Sequence, residues 1–250
     1  MFIEKTKVTT DHLNTLNEKF RQATPEEILH YAISEFYPNL SMTASFKISS
    51  IVLMHMISRI SNKFPVVFID TGYHFVETLK LRDQMINEFN YNIITLQPEI
   101  SKEELKRKYG PQLYKSDPDL CCHINKVEPL KKHMRNSNIK NWIAGLRKDQ
   151  SLNRQSLDMF MIDVDGFLRI HPLLYWNWND VWQYIRKFNL PYLSLYDKGY
   201  TSVGCSPESC TSKNSIENGE RNGRWKDFYK TECGLHNELI NTEVNIHNRR

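Results

Sequence analysis

The sequence lacks the long apolar segments that secretion or membrane insertion requires. Residues 1–7 are charged rather than apolar, and no uninterrupted apolar run in the 250 residues approaches the length that spans a bilayer. We therefore expect a soluble, cytoplasmic protein. Disulfides are uncommon in a reducing cytosol, so clustered cysteines there more often bind metal or take part in redox chemistry.

The sequence also has little excess charge of either sign. Its 33 lysines and arginines stand against 29 aspartates and glutamates, and the net charge is +4. This balance favours anionic ligands weakly and lacks the concentrated basic stripe of a nucleic-acid-binding protein. The charge balance therefore favours a small phosphorylated substrate over a nucleic acid. The 40% hydrophobic and 25% charged residues are ordinary for a globular chain, and this length requires no more than one domain.

Glycine is scarce, with nine in the chain, and none lies in the turn 43–47. Its absence there disfavours the glycine-rich loops of Walker and Rossmann nucleotide sites. The turn still joins a predicted strand to a predicted helix, where backbone N–H groups and the hydroxyls of Thr43 and Ser45 can hold an anion. A Ser/Thr-rich turn is also a common helix cap, and the turn alone does not decide between the two.

Short apolar runs alternate with helical patterns along the chain. Thr24, Pro25 and Glu27 predict the start of a helix that ends before Pro38. Further strands are predicted at 40–44, 66–69, 93–96 and 142–145, and further helices at 48–60, 77–89, from 101, and at 179–185. This order predicts an α/β fold, a parallel sheet flanked by helices, with ligands beyond the carboxyl ends of the strands.

The same patterns divide the chain into three segments. We expect an N-terminal helical segment at 1–38, an α/β domain at 39–200, and a functional loop with a mobile tail at 201–250. Together they are predicted to form one structural domain.

Polar residues follow two of the predicted strands. Asp70 and Gly72 place a carboxylate and a turn glycine after the strand at 66–69, which suits either a site or a capped turn. Arg147 and Arg154 lie in a polar loop after the strand at 142–145. Their guanidinium groups suit phosphate or sulfate oxygens, although a charged loop is often merely solvated.

A second basic group lies near the C-terminus. It contains Arg221, Arg224 and Lys230, shortly before Cys233. Its presence favours an anion pocket.

Four of the five cysteines fall into two pairs. Cys121 and Cys122 are adjacent, and four residues separate Cys205 from Cys210. Neighbouring cysteines are poor disulfide partners because the ring that they close is strained. Four thiolates from two distant pairs can ligate Zn²⁺ or an iron–sulfur cluster, and the spacing does not choose between these metals. Ordinary buried thiols are the alternative.

The fifth cysteine, Cys233, is flanked by Gly234 and has His236 and Lys230 nearby in sequence. Neighbouring cations lower a thiol pKa and make the sulfur a better nucleophile. Many lone cysteines are structural, but this polar stretch offers little apolar surface to bury one.

Taken together, these segments resemble the assimilatory sulfonucleotide reductases, which reduce adenylyl sulfate or its 3′-phosphorylated form to sulfite. The resemblance runs from about residue 39 to residue 236. The matching stretches are 70–75, 121–122, 126–130, 145–154, 204–205, 223–225 and 230–236. The sequence differs from the family in the wider gap between Cys205 and Cys210, in Lys47 at a usual glycine, and in Val76 at a usual proline.

The resemblance implies a fold related to the ATP pyrophosphatase domain, also called adenine nucleotide alpha hydrolase-like. The turn containing Thr43, Ser45 and Lys47 would receive the phosphosulfate, and Cys233 would attack its sulfur to form an S-sulfo-cysteine. A thioredoxin or glutaredoxin dithiol would then release sulfite, and His236 would assist the thiol. The side chains implied to neutralise the phosphosulfate are Lys126, Arg147, Arg154, Arg221 and Arg224.

Within this family, the paired cysteines mark the branch that carries a [4Fe-4S] cluster and is associated with adenylyl sulfate. The implied ligands are Cys121, Cys122, Cys205 and Cys210. The resemblance thus makes 39–200 a nucleotide-binding domain and 201–250 a cluster-binding loop with a catalytic C-terminal tail. The implied reaction is reduction of adenylyl sulfate to sulfite and AMP in sulfate assimilation and cysteine biosynthesis.

Three other functions stay open. The same chemistry could act on 3′-phosphoadenylyl sulfate or on both nucleotides. The chain could instead be a zinc-containing nucleotide- or RNA-binding module, or an ATP-dependent pyrophosphatase relative such as a thiolation enzyme. The last of these leaves the stretch 232–236 unexplained.

Overall fold

A computed structural model describes residues 10–206, 210–226, 228, 230 and 232–236. The strands of its sheet are β1 (Leu40–Thr43), β2 (Val66–Ile69), β3 (Ile93–Leu96), β4 (Asn141–Ile143), β5 (Phe160–Ile162) and β6 (Leu168–Ile170). They lie in the order β3-β2-β1-β4-β6-β5. All neighbouring pairs are parallel except β5 and β6. The predicted parallel sheet is therefore confirmed, with one antiparallel edge strand.

Helices flank this sheet. Their bounds are α1 (Thr10–Lys19), α2 (Pro25–Phe36), α3 (Ile48–Ser58), α4 (Val76–Asn87), α5 (Lys102–Tyr109), α6 (Leu113–Ser116), α7 (Pro118–Cys122), α8 (Glu128–Asn136) and α9 (Trp178–Lys187). A π-helical turn, His123–Val127, joins α7 to α8. None of the described helices is long and apolar enough to cross a membrane.

Several helices begin where the local sequence satisfies their free N–H groups. The Thr24 hydroxyl accepts from the N–H of Glu27 while the Glu27 carboxylate accepts from the N–H of Thr24, and Pro25 fills the first turn of α2. Ser101 and Glu104 repeat this reciprocal cap at α5. These caps fix the helix starts that the sequence predicts.

Helix α3 lies at the centre of the core. Its buried residues run from Ile48 through Ile57 on nearly all sides of the helix. Such a helix needs apolar cover all round, and the core cluster that supplies it includes Val67 of β2 and Ile143 of β4. The burial fixes the N-terminus of α3 at the carboxyl edge of the sheet.

Strand β1 is the point where the sheet order reverses. It pairs with β2 on one side and with β4 on the other. Loops that leave β1 and β4 diverge at such a point and open a crevice beyond the strand ends, where ligands of α/β proteins bind.

Some elements are absent from the sequence-based prediction. The hairpin of β5 and β6 was not expected, nor was the helical setting of Cys121 and Cys122 in α7. The division of the chain at residues 38 and 200 stays a prediction.

Candidate active site

A cavity of about 130 Å³ lies in the crevice between β1 and β4. Thr43, Ala44 and Ser45 line it from the end of β1, and Ala144 and Gly145 line it from the end of β4. An added methyl group on Gly145 would lie 3.0 Å from Cβ of Ser49, so β4 approaches α3 closely at this glycine. The predicted turn 43–47 therefore lies in the cavity wall.

The turn achieves its shape without glycine because Phe46 takes the left-handed conformation, with φ of 54°. This conformation is uncommon for a bulky residue. The Phe46 side chain is fully buried, and its ring lies 5.1 Å from that of Phe68. Packing thus holds the backbone that presents Ser45 and Lys47 to the cavity.

Five cations line the cavity: Lys47, Lys126, Arg154, Arg221 and Arg224. Burial lowers the pKa of Lys47 well below its ordinary value, and the charges of Arg224, Arg221 and Arg154 lower it further. Burial and the neighbouring Arg154 likewise lower the pKa of Arg221 to about 9. Mutual repulsion of this kind is relieved by a bound anion, so the cavity suits a multiply charged one.

Arg147 does not line this cavity. Its fully buried guanidinium donates to Asp149 at 2.9 Å and also to Glu220 and to the Ser49 hydroxyl. Gln150 donates to the same Glu220 carboxylate at 2.9 Å. Arg147 therefore links the end of β4 to the loop that carries Arg221 and Arg224, and its predicted contact with substrate stays a prediction.

The segment that carries Cys233 is held by an ion pair between buried groups. The Glu232 carboxylate accepts two hydrogen bonds from Arg154, at 2.9 and 2.7 Å, and lies 3.0 Å from a nitrogen of Arg221. Although burial opposes its charge, Arg154 and Arg221 lower the pKa of Glu232 to about 2. This pairing places the next residue, Cys233, in the cavity wall.

Cys233 contacts Cys122 and is half-buried. A hydrogen bond from the Cys122 thiol lowers the pKa of Cys233, and burial opposes this effect. Lys126, the N–H of Leu235 and Arg224 lower it further. These last three groups stabilise the Cys233 thiolate even where Cys122 has no proton to donate, as in a metal ligand.

His236 also lines the cavity. Burial lowers the pKa of its imidazole, and the charges of Arg154, Arg169 and Lys47 lower it further. Its Nδ1 is buried and has no hydrogen-bond partner within the described part of the chain. A neutral imidazole with a free nitrogen in the cavity can exchange a proton with a bound ligand or a thiol.

A second, smaller cavity of about 10 Å³ adjoins the first. All four paired cysteines line it: Cys121, Cys122, Cys205 and Cys210. They are buried and form no disulfides. Burial raises the pKa of Cys121 to about 12, with the nearby Cys205 and Cys210 contributing. The two distant pairs predicted from the sequence therefore meet in space.

This thiol set fits a sulfur-ligated cluster. Within the described ranges, no three Cys, His, Asp or Glu side chains are arranged to hold one metal ion. A four-iron cluster is larger than a single ion, so its four cysteines stand farther apart. Thr71 and Asn125 each place a side-chain polar atom 3.6 Å from a sulfur, that of Cys205 and Cys121 respectively, as groups that surround metal ligands commonly do.

The predicted stretch 70–75 borders the cysteine cavity. Asp70 accepts from the N–H of Gly72 at 2.9 Å and pairs with Arg82, so neither Asp70 nor Gly72 lines the anion cavity. Instead His74 forms a β-bridge with Cys205, and Tyr73 lines the wall. The stretch therefore contacts Cys205 of the second cysteine pair.

Lys126 lines both cavities. Burial opposes its charge, but Cys205, Cys233 and Cys122 raise its pKa well above the ordinary value. Its position on the π-helical turn after Cys122 places one ammonium group between the anion cavity and the cysteines.

The functional contacts of Glu220, Glu232 and Trp142 are not predicted from the sequence. The two carboxylates fix basic residues of the site, and Trp142 donates to the Thr43 hydroxyl at 2.7 Å. The position of Glu232 next to Cys233 in the sequence could have indicated its role. The roles of Glu220 and Trp142 depend on contacts between distant parts of the chain.

Comparisons with known proteins agree with this geometry. The family described as phosphoadenosine phosphosulfate reductase domain matches residues 39–213. A Bacillus subtilis (strain 168) protein named adenosine 5′-phosphosulfate reductase 2 is 42% identical over 85% of this chain and 89% of its own. A Lysinibacillus sphaericus adenosine 5′-phosphosulfate reductase is 39% identical over 88% of this chain and 93% of its own.

Solved structures show the same fold. The phosphate complex of phosphoadenylyl-sulfate reductase from Candida auris superposes with a TM-score of 0.72 and 29% identity, covering 80% of this chain and 97% of that one. FMN adenylyltransferase from Candida glabrata gives a TM-score of 0.53 at 17% identity, covering 84% and 71%. This sheet is thus of the adenine nucleotide alpha hydrolase-like type.

Proposed function

The chain belongs to the phosphoadenosine phosphosulfate reductase domain family, and we propose that it reduces adenylyl sulfate to sulfite and AMP in sulfate assimilation. One observation carries the proposal: the Cys233 thiol opens into the same cavity as five cations. A nucleophilic sulfur beside an anion pocket suits attack on the sulfur of a phosphosulfate. The names of the bacterial relatives favour adenylyl sulfate as the nucleotide.

In the proposed first step, the Cys233 thiolate attacks the sulfuryl sulfur of adenylyl sulfate. The bond between that sulfur and the bridging oxygen breaks, and its electron pair leaves with AMP. Arg224, Lys47 and Lys126 stabilise the negative charge that grows on the phosphate oxygens. The product is an S-sulfonate on Cys233.

In the proposed second step, a dithiol of the thioredoxin or glutaredoxin type attacks Sγ of Cys233. The bond to the sulfonate sulfur breaks, and sulfite leaves with the electron pair. The second thiol of the donor then displaces Cys233 from the mixed disulfide, so the donor loses two electrons in total. His236, a neutral imidazole, accepts the proton of the Cys233 thiol before the next attack.

We also propose that Cys121, Cys122, Cys205 and Cys210 hold a [4Fe-4S] cluster. When bound, the cluster supplies a compact charged group whose field acts on the neighbouring low-dielectric site. Thr71 and Asn125 orient the sulfurs, and Lys126 places its charge between these cysteines and the substrate anion.

The experiment that tests the reaction separates its halves. The full chain is incubated with adenylyl sulfate without reductant, and the Cys233 peptide is analysed by mass spectrometry together with released AMP. We expect one sulfonate and one AMP per chain, then sulfite on adding reduced thioredoxin. Cys233→Ser should form neither, and sulfite production by that variant would refute the mechanism.

The matching structure from Candida auris favours a second candidate substrate, 3′-phosphoadenylyl sulfate. The cations that line the cavity, including Lys47, could balance the charge of a further phosphate group. When both nucleotides compete for a limiting amount of enzyme, the relative rates of their consumption give the ratio of their kcat/KM values. We expect adenylyl sulfate to win, and the opposite order would assign the chain to the second substrate.

Iron and labile sulfide analysis of anaerobically purified protein tests the cluster. We expect four of each per chain, as the formula requires. Cys210→Ser should lose both, and Cys233→Ser, the matched control, should keep both. One zinc and no sulfide in the unaltered chain would favour the nucleotide- or RNA-binding alternative.

A further inference from the structure

Arg169 joins the sheet to the segment 232–236 although it does not line the anion cavity. It lies on β6 and is buried. Its Nε donates to Asp163 at 2.6 Å, and its terminal nitrogen donates to the carbonyl of Leu235 at 3.3 Å. One guanidinium therefore spans from a fixed carboxylate to the backbone of the residue two after Cys233.

The fixed carboxylate is itself rigid. Asp163 is buried and accepts from the N–H groups of Asp165 and Phe167, at 3.0 and 2.9 Å, within the turn between β5 and β6. A buried carboxylate with three donors has little freedom to move. Arg169 is thus held at one end before it reaches Leu235.

The face of the same guanidinium packs on Trp142, with Cζ 3.3 Å from the ring centroid. The two residues lie opposite each other in the paired register of β4 and β6. Trp142 donates to the Thr43 hydroxyl at 2.7 Å, and its ring lies 6.0 Å from that of His236. The pair of side chains therefore touches both the anion turn and the end of the described segment.

We propose that Arg169 is a positioning residue that fixes the segment 232–236 against β4 and β6, so that Cys233 faces the anion cavity. Glu232 secures one end of this segment and Arg169 the other. The kinetic part of this inference rests on the proposed function; the structural part does not.

The arrangement requires arginine rather than any cation. A lysine can pair with Asp163, but its single ammonium lacks the planar fork that reaches a second acceptor while stacking on an indole. Arg169→Lys thus keeps the buried charge paired and removes the bond to Leu235. Trp142→Phe is the matched control, since it keeps a ring under Arg169 and loses the bond to Thr43.

The test is hydrogen exchange of the full chain, followed by mass spectrometry of peptides. In Arg169→Lys, exchange in the peptide containing 232–236 should accelerate about tenfold, because the free energy of one hydrogen bond from a charged group is lost. Exchange in α3 and the dissociation constant for AMP should change less than about twofold. Trp142→Phe should leave the 232–236 peptide within about twofold of the unaltered chain.

The kinetic counterpart is the rate of Cys233 S-sulfonation in a single turnover. Arg169→Lys should lower it about tenfold at saturating nucleotide, since that substitution loosens the nucleophile and not the anion pocket. Unchanged exchange at 232–236 would overturn the inference, as would equal acceleration in α3. If Arg169→Lys exchanges faster at 232–236 but the unaltered chain forms no sulfonate, the positioning role holds and the proposed reaction is refuted.

Discussion

The carboxylate of Glu232 accepts two hydrogen bonds from the guanidinium of Arg154, at 2.7 and 2.9 Å, in the residue immediately before Cys233. Both groups are buried. Arg154, which the family resemblance assigns to the substrate, therefore holds the segment that carries Cys233. The remaining terminal nitrogen of Arg154 donates to Gln150, and both residues line the cavity.

Replacing Glu232 tests this clamp. Glu232→Gln leaves Arg154 and Arg221 without their buried counter-charge, so we expect a loss of about 3 kcal/mol in the free energy of unfolding. S-sulfonation of Cys233 should slow about tenfold. Urea unfolding and single-turnover mass spectrometry measure the two effects. Glu232→Asp, which keeps the charge, should recover part of each; equal behaviour of the two variants would show that the charge is unimportant.

Gly204 tests how Arg224 is placed. An added methyl group would overlap one terminal nitrogen of Arg224. A shift of that side chain would break the bonds that its Nε and its other terminal nitrogen donate to the carbonyls of Cys210 and Val203. We expect Gly204→Ala to weaken AMP binding at least about tenfold, as loss of one hydrogen bond to a charged group would. Isothermal titration calorimetry gives the constants.

Gly166 supplies the control for that substitution. Its φ is +83°, and an added methyl group meets no atom within 4 Å. Gly166→Ala should therefore cost about 1 kcal/mol of stability through backbone strain and leave AMP affinity unchanged. Equal losses of affinity in the two variants would mean that Gly204 acts through stability alone.

His171 predicts a pH dependence of stability. Burial, and then the charges of Arg169 and Arg154, lower the pKa of this histidine to about 4 from an ordinary value near 6.5, against the hydrogen bond to the Asp158 carbonyl. Below pH 6.5 the unfolded chain binds a proton that the folded chain refuses until about pH 4. Stability is therefore lost as the pH falls through this window, by about 3 kcal/mol in total.

Urea unfolding at pH 7, 6, 5 and 4 measures that slope. His171→Asn cannot bind the proton, so its free energy of unfolding should fall less between pH 6.5 and 4 than that of the unaltered chain. The absolute stability of the variant is not the readout, since the smaller side chain also alters packing. Parallel curves for the two proteins would contradict the prediction.

The contacts of Thr71 predict how firmly the proposed cluster is held. Its hydroxyl lies 3.6 Å from Sγ of Cys205 and accepts from the N–H of Tyr73 at 3.2 Å. Thr71→Val removes both contacts, and we expect iron release to a chelator to accelerate about tenfold, as is usual for groups that orient metal ligands. Thr71→Ser keeps the hydroxyl and should release iron at nearly the original rate; acceleration in both variants would implicate the lost methyl group.

The fold could be predicted where local chemistry decides it. The apolar run of β2 is bounded by Pro65 and Asp70, and its predicted residues match those of the strand. The reciprocal caps at Thr24 and Ser101 likewise depend on residues three positions apart. Such elements need no knowledge of the rest of the chain.

The site could be predicted only in part because its geometry depends on distant contacts. Arg147 lies in a polar loop that suits an anion, and the sequence does not reveal that a carboxylate 73 positions away engages its guanidinium. The glycine-free turn gave no sign that Phe46 would take the left-handed conformation, which its burial against Phe68 stabilises. Residue type allowed the cysteine pairs to meet as metal ligands and the family resemblance implied it, whereas the contacts of Cys205 with Thr71 and His74 required the fold.

The position of Lys126 in the walls of both cavities makes the two sites thermodynamically linked. If the occupant of the cysteine cavity alters the affinity of the anion cavity through this ammonium group, a bound anion must alter the affinity for that occupant by the same factor. The sign of this factor can be measured by comparing iron release from the cysteine site with and without bound nucleotide.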